Sequence, residues 1–165
     1  MNIRCAWKVG LVGLGALLFA STVSAAQISG RVVGVADGDT LTLLVDNHDQ
    51  VKVRLAEIDA PEKAQPFGQR SKQSLSSLCF GRDATLEATD TDRYGRTVAK
   101  VYCGGVYANA EQVRSGMAWA YRKYLHDQSL LATENDAREA KRGLWVDSDP
   151  VPPWEFRKAK REAGR

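Results

Sequence analysis

The nine residues Arg54-Leu-Ala-Glu-Ile-Asp-Ala-Pro-Glu62 bring a guanidinium and, of their three carboxylates, those of Asp59 and Glu62 to one stiff corner of the chain. In Gln50 to Leu55 the apolar Val51, Val53 and Leu55 alternate with Gln50, Lys52 and Arg54, the period of a half-buried strand. Arg54 therefore leaves that strand on the face opposite the core. The alternation fails at Glu57, which ends or bends the strand. Pro61 fixes its own φ and holds Ala60 extended, so Asp59 and Glu62 project from a rigid turn. Hard oxygen donors so placed can hold a cation and position a water beside a guanidinium that grips phosphate. A charged turn that merely closes a strand would carry the same residue types.

Two further clusters offer complementary parts: Asp37-Gly-Asp39-Thr40 and Arg93-Tyr94-Gly95-Arg96. Hydrolysis of a phosphodiester needs a cation on a nonbridging oxygen, donors for the charge developing at phosphorus, and an oriented water. Asp39 and Asp59 are oxygen ligands suited to Ca²⁺ or Mg²⁺, and a main-chain carbonyl near Ala60 can join them. Arg54 and Arg96 can each grip a phosphate through two nitrogens, which lysine cannot. Glu62 is free to orient or deprotonate water. Tyr94, beside Arg93, offers a flat face for a base or a hydroxyl for a phosphate. Each cluster alone is also ordinary turn chemistry; the case lies in their combination.

The elements that must carry these clusters follow from pattern. Ile28 to Val35 reads as a first strand and Leu41 to Val45 as a second, joined by a tight Asp-Gly turn. The turn at Asp46 to Asp49 leads into the strand that ends at Leu55. One out-and-back excursion separates Asp37 and Asp39 from Asp59 and Glu62, so both acidic turns can lie at one end of the sheet. His48 belongs to the opposite turn and reads as solvated; neither it nor His126 has the partners of a zinc site. Pro66 to Cys79 is helical, with Phe67, Leu75 and Leu78 on one face. Asp83 to Thr89 and Thr97 to Tyr102 are strands flanking the charged turn at 91–96. Asn109 to Ser115 reads as a short helix capped by Asn109 and stopped by Gly116. Gln128 to Arg142 reads as a longer helix, stopped by Gly143. Five short strands and three helices predict an α+β fold, mainly a small Greek-key β-barrel of the OB type.

The ends differ in character. Met1 to Lys8 carries Arg4 and Lys8, Val9 to Ala20 is apolar or glycine, and Val23-Ser-Ala-Ala26 supplies small residues for cleavage. That order is a secretory signal peptide cut near Ala25 or Ala26. The expected organisation is a leader at 1–26, one domain at 27–149 and a Pro-led basic tail at 150–165. The tail from Trp154 reads as mobile and solvated, with an auxiliary nucleic-acid contact as the alternative. No stretch after the leader is long and apolar enough to span a bilayer, so an exported protein, periplasmic or secreted, without stable membrane association is expected. Of 23 basic residues, Arg4 and Lys8 leave with the leader, so 21 face 20 acids. Such a balance does not by itself announce a nucleic-acid binder; what matters is where the charges sit. Cys79 and Cys103 remain in an oxidising compartment and are expected to pair, contributing roughly 3 kcal/mol; two separate buried thiols are the alternative.

Taken together, Val35 to Thr40, Val53 to Glu62 and Thr91 to Arg96 resemble the three motif blocks of the staphylococcal nuclease family. The likeness continues through Asn109 to Ala118 and Arg142-Gly-Leu-Trp145, covering nearly all of residues 28–146. This resemblance implies a five-stranded OB barrel with three helices and a Ca²⁺-dependent endonuclease acting on DNA and RNA, with single-stranded or locally opened substrate preferred. It implies cleavage between phosphorus and O5′, leaving 3′-phosphate ends. By position, Asp39, Asp59 and the Ala60 carbonyl would hold calcium, Arg54 and Arg96 the scissile phosphate, and Glu62 the water. Arg93 and Tyr94 would touch substrate, as would one of Tyr121 and Tyr124, where the family stacks tyrosines. The chain departs from the family pattern in having Ala60 where threonine is common, and a loop from Lys63 to Gly68 that is short and lacks a lysine run. A monomer is expected. Two rival readings stay open: an OB-fold nucleic-acid-binding module with a dead site, and an interaction protein in which the acids hold a structural calcium.

Overall fold

The computed structural model describes residues 27–164, so the expected signal peptide lies outside the described residues. Strands β1 (Gln27–Val35), β2 (Thr40–Val45) and β3 (Asp49–Leu55) form the meander read from the alternation. β4 (Ile58–Asp59) follows as a two-residue strand, and α1 is Gly68–Cys79. β5 (Asp83–Thr91) and β6 (Thr97–Cys103) make the second hairpin. After them come β7 (Val106–Tyr107), α2 (Ala108–Arg114), β8 (Trp119–Ala120), α3 (Ser129–Glu139) and α4 (Pro153–Ala163).

The large sheet runs β3-β2-β1-β5-β6-β7, and β6 returns to pair in parallel with β3, so five strands close on themselves. This closed mixed barrel with helices is the α+β architecture that the strand count predicts. Closure turns the apolar face of every strand inward. Val32, Leu41, Leu43, Val53, Leu55, Leu86 and Val101 are fully buried there, and the barrel closes where Val53–Leu55 pair with Thr97–Ala99. α1 seals one end of the barrel with Ser71, Leu75 and Cys79, buried residues spaced by one helical turn.

Cys79, at the end of α1, is bonded to Cys103, at the end of β6, with 5.2 Å between their Cα atoms. Both residues are fully buried. The expected pairing is therefore present.

Three local readings are corrected. Asn109 does not cap α2. The helix begins at Ala108, and the buried Asn109 side chain receives Val101 N–H (3.0 Å) and donates to the carbonyls of Ala56 (2.9 Å) and Ala99 (3.3 Å). It ties the helix to β6 and to the end of β3, satisfying backbone groups that burial would otherwise leave unpaired. α3 stops at Glu139, short of Arg142, because Lys141 already has a positive φ of 49°.

The third correction is the largest. The segment from Trp154 is not a mobile tail but most of a fourth helix, α4. Pro153 stands at the start, where a missing N–H costs nothing, Glu155 sits in the first turn, and Lys160 and Arg161 sit in the last, all matched to the helix dipole. Trp154 anchors it. Its ring stacks on Tyr121 at 5.4 Å and 4°, and meets Trp119 edge-on at 5.6 Å. Just upstream, Gln65 Nε2 donates to the Val151 carbonyl at 2.5 Å, pinning the linker to the loop that follows Glu62.

Candidate active site

β2 and β3 place the first pair of functional side chains side by side. Their register sets Thr40 opposite Arg54, which brings the turn before β2 against the end of β3. Leu55 N–H donates to the Asp39 carbonyl at 2.8 Å, and Ala60 N–H donates to Asp39 Oδ2 at 3.0 Å. The two acidic turns are thus bolted together, as one excursion of the sheet allows. Asp39 is 6% exposed and Asp59 1%. Arg54 Nη2 reaches both, at 3.1 Å from Asp59 Oδ1 and 3.4 Å from Asp39 Oδ2.

The bend expected at Glu57 is a left-handed residue, φ 64°. Its buried carboxylate accepts the N–H groups of His126 (2.9 Å) and Asp127 (2.7 Å), so the chain can reverse and present Asp59 and Glu62 beside Arg54. That role had no signal in the sequence beyond the broken alternation.

Arg96 arrives from the second hairpin. Asp92 shapes that turn by accepting the N–H groups of Tyr94 (2.9 Å) and Arg96 (3.0 Å), and it also binds Arg96 Nε at 2.8 Å. Burial works against the charged form, but these donors together hold the Asp92 carboxyl below its ordinary pKa. Arg96 Nη1 then donates to Thr40 Oγ1 at 3.2 Å, and Thr40 donates to Asp39 Oδ1 at 3.0 Å. Arg54, Arg96, Asp39 and Asp59 are therefore linked through short polar contacts.

The aromatic candidates separate. Tyr121 lies under the guanidinium of Arg54, 5.9 Å from ring centroid to Cζ, while its other contacts are Trp154 and the edge of Tyr124. Tyr124 is one step further out and about half exposed. Tyr94 stands at the hairpin tip, 68% exposed, with the guanidinium groups of Arg93 and Arg96 at its face and its hydroxyl accepting from Arg93 Nη2 at 2.7 Å. His48 is exposed at the far turn, as expected.

One functional residue escaped the sequence reading. Arg157, from α4, donates to Asp59 Oδ2 at 2.6 Å and to Oδ1 at 3.1 Å, and its Nη1 also reaches Glu62 Oε1 at 2.8 Å. The signal that could have found it is the helix signature of α4 itself: proline first, acid early, bases late.

The electrostatics are those of an overcrowded anion cluster. Asp37 is pushed up to about 6, first by burial and then by the charge of Asp39. Burial also raises Asp59, against the hydrogen bonds of Arg157, and Asp39 adds repulsion. At Asp59 the arginines do not fully offset the cost of burial.

Gly38 sets the tolerance of this corner. A Cβ there would lie 1.7 Å from Ser71 Oγ and 2.8 Å from the Ala60 side chain, and Gln112 Nε2 already holds the Gly38 carbonyl at 2.7 Å. Gly38→Ala should cost about 1–3 kcal/mol of stability through overpacking. It should also lower cleavage at temperatures where the variant is still folded, because Asp39 and Ala60 must shift. Melting and cleavage both equal to wild type would show that the corner can relax.

Comparison with known proteins agrees with this geometry. The staphylococcal nuclease homologue family matches residues 52–147. An uncharacterized endonuclease of Haemophilus influenzae is 48% identical over 128 residues, spanning 78% of this chain and 72% of that protein. An uncharacterized endonuclease of Escherichia coli O157:H7 is 45% identical over 144 residues, spanning 87% and 94%. A micrococcal nuclease of Shigella flexneri is 39% identical over 163 residues, spanning 92% and 93%. With the match covering more than half of the chain and the barrel and its polar cluster in place, the chain belongs to the staphylococcal nuclease family.

Proposed function

We propose that this hydrolytic nuclease is a Ca²⁺-dependent endonuclease that cuts DNA and RNA between phosphorus and O5′, leaving 3′-phosphate ends. The observation that carries the reading is Arg54 set on two buried carboxylates, Asp39 and Asp59, with Arg96 joined to Asp39 through Thr40 and Glu62 joined to Asp59 through Arg157. A pure binding module needs phosphate donors but has no use for an acid set beside them.

The donor set fits a hard cation. Among the described residues no three His, Cys, Asp or Glu side chains form a closed cage. Two hard carboxylates side by side suit an ion whose remaining ligands are main-chain oxygen, water and substrate phosphate. Asp39, Asp59 and the Ala60 carbonyl would hold it. When bound, such an ion neutralises charge on a nonbridging phosphate oxygen. The protein's own groups do the rest: Arg54 and Arg96 bind and orient the phosphate, and Glu62 takes a proton from the attacking water. Arg93, Tyr94 and Tyr121 border the path of the strand, with Tyr124 beyond. Export, in keeping with the buried disulfide, would place this activity where nucleic acid is free.

Incubation with single-stranded DNA, in Ca²⁺ or in chelator, followed by analysis of the ends, tests the reading. Calcium-dependent cuts with 3′-phosphate ends are expected. Binding without cleavage in Ca²⁺, Mg²⁺ or Mn²⁺ would make the chain a binding module instead.

Arg157 bears on the same ion. Its guanidinium is a built-in counter-charge for Asp59, so it competes with any added cation for that carboxylate. Arg157→Ala should lower the melting temperature in chelator by roughly 5 °C, the scale of losing charged hydrogen bonds. It should also enlarge the rise on adding Ca²⁺, because the ion no longer displaces a bonded partner. An unchanged calcium-induced rise would remove Arg157 as a competitor.

A further inference from the structure

We infer that α4 is a substrate-binding element: its basic face forms one wall of a groove that leads a nucleic-acid strand to Glu62. The inference rests on the nuclease reading above, but it concerns a helix that lies wholly beyond the residues matched by the family.

The groove has a volume of about 720 Å³ and is bordered by Asp37, Glu62, Lys63, Arg157, Lys160 and Arg161. Its inner end is the catalytic corner; its outer wall is basic. Arg157, Lys160 and Arg161 recur at i, i+3 and i+4, so the helix presents them on one face. Lys160 and Arg161 stand about one helical turn, roughly 5 Å, beyond Arg157 along the axis. Neither forms an ion pair among the described residues, whereas Arg157 bridges Asp59 and Glu62. The same helix carries Lys158, which does not border the groove.

A mobile tail could not align these charges, but α4 is a helix packed on the barrel's aromatic cluster. The Trp154 ring lies flat on Tyr121 and edge-on to Trp119, and Pro153 is buried, so the basic face is held toward the groove by packing. A fixed row of cations ending at a phosphate-cutting centre suits the phosphates flanking the scissile one. The ligand it fits is a single strand, whose backbone can track a basic groove. This also answers what replaces a lysine-bearing loop after Glu62, since the short loop here carries only Lys63 and the cations come instead from the other side of the groove.

The test is binding of a fluorescent single-stranded oligonucleotide in chelator, where no cutting obscures the equilibrium, as a function of salt. Each phosphate contact on a single strand contributes a slope of about −0.7 in log affinity against log salt. Lys160→Ala/Arg161→Ala should weaken binding roughly tenfold at low salt and shrink the slope by about 1.4, two contacts' worth. Lys158→Ala, which removes charge from the same helix but not from the groove, should leave both unchanged. With Ca²⁺ present the double variant should raise KM for long strands more than it lowers kcat. Equal affinity and slope for wild type and double variant, in a protein that still cleaves, would overturn the inference and leave the nuclease intact. An equal loss in Lys158→Ala would reduce α4 to a source of net charge and likewise overturn it. A wild-type protein that binds with the full slope but never cleaves would instead sink the nuclease reading while the groove survives.

Discussion

Glu62→Gln is expected to lower turnover by on the order of 10²-fold or more, the usual scale for a positioned general base. The substitution is chosen to isolate basicity. Glu62 is partly exposed and holds Arg157 through Oε1, and the amide keeps an oxygen for that contact. Its own N–H, held by the Gln65 side chain at 3.2 Å, is untouched. The corner should therefore keep its shape, and melting temperature and oligonucleotide affinity should stay near wild type while the rate falls. Single-turnover cleavage at saturating enzyme separates this from a binding defect. A rate within a few-fold of wild type would take Glu62 out of the proton transfer and leave the water to be activated by its surroundings alone.

Reduction of the Cys79–Cys103 bond should lower stability by roughly 3 kcal/mol, the value expected for opening a loop of this length. For a domain of this size that corresponds to a fall of about 10 °C in melting temperature. The bond joins the end of the helix that seals the barrel to the end of the strand that closes it. Its loss should therefore loosen the α1 seal, against which the Asp37–Thr40 turn is packed through Ser71 and Gly38. Differential scanning calorimetry with and without reductant measures the effect. Titration of two free thiols in the native, unreduced protein would end the claim at once.

How much of this was legible beforehand divides along physical lines. The strands announced themselves because a closed barrel buries one face of each, and burial of one face is what alternation encodes. The candidate site was legible for a related reason: Arg54, Asp59 and Glu62 are close in sequence, so one strand and one proline fix their mutual placement. What was missed depends on contacts with no local signature. β4 and β8 are two residues each, too short for any period. Asn109 looked like a cap because caps and buried amides draw on the same residue; only the neighbouring backbone carbonyls distinguish them. α4 was hidden by composition. Its prolines and bases resemble a tail, and the deciding residue, Trp154, gains meaning only from Trp119 and Tyr121, far away in the chain.

The parallel return of β6 onto β3 has a temporal consequence. The meander of β1, β2 and β3 joins neighbours in sequence, whereas Arg96 meets Thr40 across 56 positions, and Arg157 meets Asp59 across 98. Contacts of that span come after the local ones, because the intervening chain must first be ordered. A half-assembled molecule therefore holds Arg54 beside its acids but lacks Arg96 and Arg157. The full set of guanidinium groups around Asp39 and Asp59 belongs only to the finished topology.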